Sequence, residues 1–171
     1  MNRRKVPVMG VLLALALVFS YVESLIPFYF GVPGMKLGLT NTVVVLVLYL
    51  YGAPMALLIS FLRIILSGFM FGNAFSIAYS LAGGLLSFFC MYLARRFLKL
   101  RMIGVSVVGG FTHNVGQIFM AVLLVNNYNV LFYLPVLMIA GCLTGVLIGI
   151  IAALIHDRIK HIAVLSQAGE V

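Results

Sequence analysis

Hydrophobic residues fall into six long blocks, and polar residues collect mostly in the gaps between them. The blocks cover about residues 6–26, 37–51, 54–71, 74–94, 102–125 and 130–155. A helix needs about 20 apolar residues to cross a bilayer, and most of the blocks approach or exceed that length. The apolar, β-branched run 39–51 is short for a span and is predicted to begin inside the preceding loop, near Met35. Gly52-Ala53-Pro54 closes it, and Pro54 suits the first turn of the next helix. Gly72-Asn73 and residues 126–129 read as turns, and 156–171 as a polar tail. The pattern predicts an all-α integral membrane protein with six transmembrane helices, in one membrane domain over 1–171.

Composition supports lipid as the solvent. The chain is 64% hydrophobic and 8% charged, with a mean hydropathy of +1.24, which leaves too little charge to cover a soluble domain. The net charge of +8 does not point to nucleic acid, because the bases sit in short clusters between apolar blocks. Arg3, Arg4 and Lys5 precede the first block, Arg95, Arg96, Lys99 and Arg101 follow the fourth, and Arg158 and Lys160 follow the sixth. Six helices bring all three clusters to one side, and the other side has only Lys36. The positive-inside rule then puts both termini in the cytoplasm of a multi-pass protein in a bacterial-type cell membrane. Cys90 and Cys142 lie inside apolar blocks, where they read as buried thiols rather than a disulfide or metal framework.

The polar residues inside the blocks are the candidates for a site. Arg63 falls near the middle of the third block, where a charge costs roughly 2.5–3.5 kcal/mol or more and faces protein or a watery cavity. Two readings stand side by side: an anchor for an anionic or carbonyl-bearing ligand, or a structural pair with Glu23. His113, Asn114 and Gln117 occupy adjacent turns of the fifth block, with 113 and 117 on one face. They either line a ligand cavity or hydrogen-bond the helices together. Asn73 and Tyr79 open the fourth block and are candidates for the same wall, Tyr79 also suiting an interfacial anchor. The loop from Glu23 to Asn41 adds Lys36, with Phe28, Tyr29 and Phe30 as either a stacking surface or an aromatic belt. Gly141, Gly145 and Gly149 form a small-residue stripe that packs within the bundle or between chains.

Some chemistry is missing. The acids are Glu23, Asp157 and Glu170, so no paired carboxylates can hold Mg²⁺ for diphosphate chemistry. There is no nucleotide-hydrolysis loop and no nucleophile constellation. The chain reads as a binder rather than an enzyme, with no metal and no cofactor expected.

The loop GVPGMKLGLTN, in a basic-inside chain of this size, resembles the substrate-binding S-components of energy-coupling factor transporters. The runs VPGMKLGLTNTVVVLVLYLYG, FLRIILSGFMFG and SLAGGLLS are most similar to the Gx transporter family, also labelled heptaprenyl diphosphate synthase component I. The resemblance implies an S-component-like bundle that binds a vitamin, flavin or quinone or isoprenoid precursor near the outer surface. It also implies a coupling transmembrane subunit with ATPase subunits as partners, beside membrane lipid. The alanine-x-x-x-alanine motif that such proteins place on their first helix is matched by Gly10-x-x-x-Ala14. Prenyl diphosphate synthases hold Mg²⁺ on aspartate-rich motifs, and this chain has the single aspartate Asp157. The second label therefore implies a non-catalytic accessory subunit of isoprenoid-quinone synthesis, or of the quinone- and flavin-linked redox systems associated with the group.

Overall fold

The structure, a computed structural model, describes residues 5–25 and 38–168, with side chains over 6–25 and 38–159. Lys36, Phe28, Tyr29 and Phe30 lie outside the described residues. Six α-helices account for almost all of the described chain: α1 (Lys5–Leu25), α2 (Asn41–Leu50), α3 (Ala53–Phe71), α4 (Ala74–Arg96), α5 (Met102–Val125) and α6 (Leu134–Ala168). A 3₁₀ turn, Tyr128–Tyr133, leads into α6. All but α2 are long and apolar enough to cross a membrane.

Local chemistry explains the boundaries. α1 is described as far as Leu25, and Pro27 follows two residues later in the sequence. Gly52, with φ +87, turns the chain from α2 into α3, and Pro54 occupies the first turn. Asn73 caps α4 by accepting from the Ser76 N–H at 2.8 Å. Asn126 ends α5 in the left-handed region. Two boundaries differ from those the hydrophobic blocks predict. α2 begins only at Asn41, because Gly38 takes φ +86 and cannot extend the helix backward. The helix that opens as α6 continues through 156–168, the stretch predicted as tail, because nothing in its sequence breaks it.

α2 is the hub. Every residue from Asn41 to Leu48 is buried, as a helix that is apolar nearly all round must be. It packs on α3, α5 and α6 and touches α1, while α3, α4, α5 and α6 pack in sequence around it and α1 lies on α3. One apolar cluster surrounds α2 with Leu12, Ala16, Ile59, Met91, Val105 and Ala152. A second joins Tyr79, Ile118, Ala121, Val130 and Leu137 at the other end of α5.

α5 and α6 come closest of all. A Cβ on Gly145 would lie 2.7 Å from Val107 Cα, and one on Gly149 would lie 2.6 Å from Ile103 Cα. The glycine stripe of α6 is therefore spent inside the bundle, against α5, which resolves the two readings its sequence left open. The outward surfaces are apolar, with Phe69, Phe75, Phe119, Tyr128 and Phe132 all exposed. That exterior suits a multi-pass membrane protein.

Candidate functional site

α2 is a half-length helix, and its position creates the site. Its C-terminal end lies level with the bases: Arg95 donates to the Leu48 carbonyl, and its guanidinium sits 4.5 Å above the Tyr49 ring. Ten residues at 1.5 Å each carry α2 about 15 Å into the bundle. Its N-terminus thus stops at the level of Arg63, in the middle of α3. The first backbone N–H groups of a helix have no partner within it, and the hydrocarbon core of a bilayer offers none.

Glu23 supplies the acceptor. Its side chain is 5% exposed and reaches from α1 to the start of α2. Oε1 accepts from the Gly38 N–H and from the Leu39 N–H at 3.3 Å, and Oε2 accepts from the Thr40 hydroxyl at 3.3 Å. The Ser20 hydroxyl, one turn earlier on α1, lies 3.1 Å from the same Thr40 oxygen. A carboxylate at a helix N-terminus also matches the positive end of the helix dipole.

Arg63 approaches the same end from α3. It is 2% exposed, and its Nη2 donates to Asn41 Oδ1 at 3.2 Å. Glu23 is the opposite charge that acts on it through space, with no direct N···O contact within 4.0 Å among the described residues. The first turn of α2 therefore lies between the acid and the base. Among the described residues, Asn41 Nδ2 and Arg63 Nε are buried donors here without an acceptor.

α5 closes the cluster. His113 and Gln117 share one face, with His113 Nε2 and Gln117 Nε2 3.0 Å apart. A Cβ on Gly38 would sit 3.2 Å from Asn41 Nδ2 and 3.3 Å from His113 Cδ2. The loop end, α2 and α5 therefore meet at that glycine. On the other side, a Cβ on Gly83 of α4 would lie 2.7 Å from the His113 carbonyl and 2.8 Å from Gln117 Cγ. The ring of His113 is thus clasped between two glycines.

Of the residues singled out in the sequence, Glu23, Asn41, Arg63, His113 and Gln117 come together. Asn114 does not join them. One residue further along α5, it faces α6 and donates to the Leu137 carbonyl at 2.5 Å. Asn73 is exposed and serves as the α4 cap, and Tyr79 is buried in the second apolar cluster. Gly10 and Ala14 face outward on α1, with nothing within 4 Å of a Cβ on Gly10. Sequence reasoning did not name Gly38, Thr40 or Ser20 as site residues. The spacing of Ser20 and Glu23, three apart on one helical face, was the available signal.

The arrangement is a buried set of polar donors and acceptors. It offers donors from an amide and a guanidinium around a carboxylate already occupied by protein donors. Among the described residues no three His, Cys, Asp or Glu side chains converge as a metal site would require.

A family model described as heptaprenyl diphosphate synthase component I matches residues 12–155, which span every helix and all of this cluster. No curated protein and no solved structure matches the chain.

Proposed function

The chain belongs to the heptaprenyl diphosphate synthase component I family, and we propose that it is a non-catalytic, ligand-binding membrane subunit. It captures a small molecule from the face opposite its basic end and hands it inward with a separate ATP-driven membrane partner. The observation that carries this reading is the buried cluster of Glu23, Asn41, Arg63, His113 and Gln117 at mid-bundle. Such a group inside an otherwise apolar helix bundle is costly to keep, and function is the usual reason for keeping it.

The bases Arg95, Arg96, Lys99, Arg101 and Arg158 support the orientation, with both termini cytoplasmic and the ligand entrance outside. The outward strip of α1 supports a partner. Gly10 and Ala14 leave a shallow face on which another helix can approach closely. Gly10→Leu is expected to leave thermal stability unchanged and to abolish co-purification of a membrane partner. A folded variant that still retains its partner would remove α1 from the interface.

The family's name favours a second reading: a first component implies another, and the subunit would then serve prenyl diphosphate synthesis. The catalysis would lie in that other component. Asp157, the one aspartate, is exposed and next to His156 at 3.6 Å, and among the described residues no group of three His, Cys, Asp or Glu side chains gathers around it.

Affinity capture of the tagged chain from native membranes, with mass spectrometry of everything retained, separates the two. ATPases with a coupling membrane subunit and a small molecule are the expected recovery. Recovery of a soluble prenyl synthase without ATPases would overturn transport and leave the accessory role. Arg63→Ala is expected to lose at least ten-fold of the retained molecule, the scale of about 1.4 kcal/mol of binding.

A further inference from the structure

The ligand class can be read from which atoms of the central cluster are already used. Arg63 has only donors, so the Asn41 atom that faces its Nη2 must be the carbonyl oxygen. That fixes the amide, and its Nδ2 is left without an acceptor. Arg63 Nε is left in the same condition. Both side chains are more than nine-tenths buried, at 4% and 2% exposed. An unsatisfied buried donor is expensive, commonly about 1–3 kcal/mol, and native structures hold few of them. Two on hydrogen-bonded neighbours mark a place where an acceptor belongs.

Charge narrows the class further. Two features here attract anions, the Arg63 guanidinium and the N-terminus of α2. Glu23 already answers both. It accepts from Gly38, Leu39 and Thr40 at the helix end, and it is the counter-charge acting on Arg63. An anionic ligand would bring a second negative charge beside that carboxylate, far from water. A cationic ligand would have to compete with Gly38, Leu39 and Thr40 for Glu23 and would meet the positive charge of Arg63. What remains is two N–H donors, one on the amide and one on the guanidinium, that have no acceptor among the described residues.

We propose that the central site takes a neutral ligand presenting carbonyl-type acceptor oxygens to Asn41 Nδ2 and Arg63 Nε, rather than a carboxylate or phosphate. The proposal rests on the binding function above and assigns its substrate class. A carbonyl oxygen has two lone pairs, and an uncharged group costs far less to desolvate at this depth than an ion.

The test uses the full-length protein in detergent and four naphthalenes that differ in one substituent. 1-Acetonaphthone carries the neutral acceptor, 1-ethylnaphthalene is its isostere without one, 1-naphthoate is the anion and 1-naphthylmethylammonium the cation. Thermal unfolding is followed against probe concentration. The ketone is expected to half-saturate at a concentration at least about ten-fold below each of the other three. Asn41→Ser removes the amide donor without adding a charge beside Glu23, and Arg63→Lys keeps the charge and removes Nε–H. Each is expected to stay folded and to reduce the ketone's advantage to under about three-fold. Equal or better binding of the ethyl compound, the naphthoate or the ammonium overturns the proposal. So does a ketone preference that survives both variants, or no response to the ketone.

The molecule captured from membranes distinguishes the two levels of failure. If wild type retains an anion that Arg63→Ala releases, the binding function stands and the neutral-acceptor class falls. If nothing is retained and no probe acts, both fall.

Discussion

Replacing Glu23 with alanine is expected to destabilise the protein by about 3–5 kcal/mol, the scale for removing one member of a buried charge pair. Two losses coincide in that one change. The Gly38 and Leu39 N–H groups and the Thr40 hydroxyl lose their acceptor at a depth where water cannot replace it. Arg63 loses the counter-charge that makes its burial tolerable. Glu23→Gln keeps an acceptor oxygen but not the charge, so it should fall between wild type and Glu23→Ala. The double change Glu23→Ala with Arg63→Met removes both charges and should recover part of the loss, because the worst term is an unpaired buried charge. Equilibrium unfolding of wild type, Glu23→Ala, Glu23→Gln, Arg63→Met and the double variant in one detergent measures this. A Glu23→Ala cost below about 1 kcal/mol, or strict additivity in the double change, would show that the carboxylate does not hold α2 and Arg63 together.

The helices were legible because lipid leaves a simple signature. Blocks of apolar residues near 20 long, broken by Gly, Pro and Asn, give α1, α3, α4 and α5 with ends within a few residues, and α6 with its start, although that helix runs on to Ala168. α2 was the exception for a physical reason. Its run 39–51 is apolar enough to read as a shortened span, but hydropathy does not show that Gly38 has positive φ. Nor does it show that the helix therefore begins at mid-bundle. The site depends on that one backbone fact. Arg63 and Glu23 stood out as charges in hydrocarbon, and the spacing of His113 and Gln117 placed them on one face. Asn114 shares their composition and depth, yet it lies about 100° further round α5 and bonds to α6 instead. A count of polar residues per block cannot separate those roles, because the distinction lies in which neighbour each face meets. Thr40 and Ser20 were not marked as site residues for a related reason: single hydroxyls in apolar runs are common, and it is the Glu23 carboxylate that ties Thr40 into the cluster, with Ser20 beside it.

The glycine stripe has a different lesson, and the second large effect follows from it. Gly145→Val is expected to separate α5 from α6 and to leave little folded protein. A Cβ at Gly145 would stand 2.7 Å from Val107 Cα and 2.8 Å from the Ser106 carbonyl oxygen, and both atoms are backbone. A side chain can rotate away from such an overlap, but a helix backbone has to move as a body. Moving α6 outward would pull apart the whole row of contacts at Gly110, Gly141, Gly145 and Gly149. In a bilayer, helices are held by van der Waals contact and few hydrogen bonds, since tails solvate apolar faces as well as leucine does. The Asn114 bond to Leu137, which needs the same close approach, would be lost with them. Overpacking alone typically costs 1–3 kcal/mol in a core that can adjust, so about 3 kcal/mol or more is expected where only backbone is available to give way. Gly104→Ala is the control on α5: its Cβ would meet only the Leu100 side chain, at 3.4 Å or beyond, and should be tolerated. Size-exclusion profiles and thermal unfolding of the two variants decide the matter. A well-folded Gly145→Val protein would mean that α6 is free to stand off from α5, and that the stripe serves a contact outside the bundle.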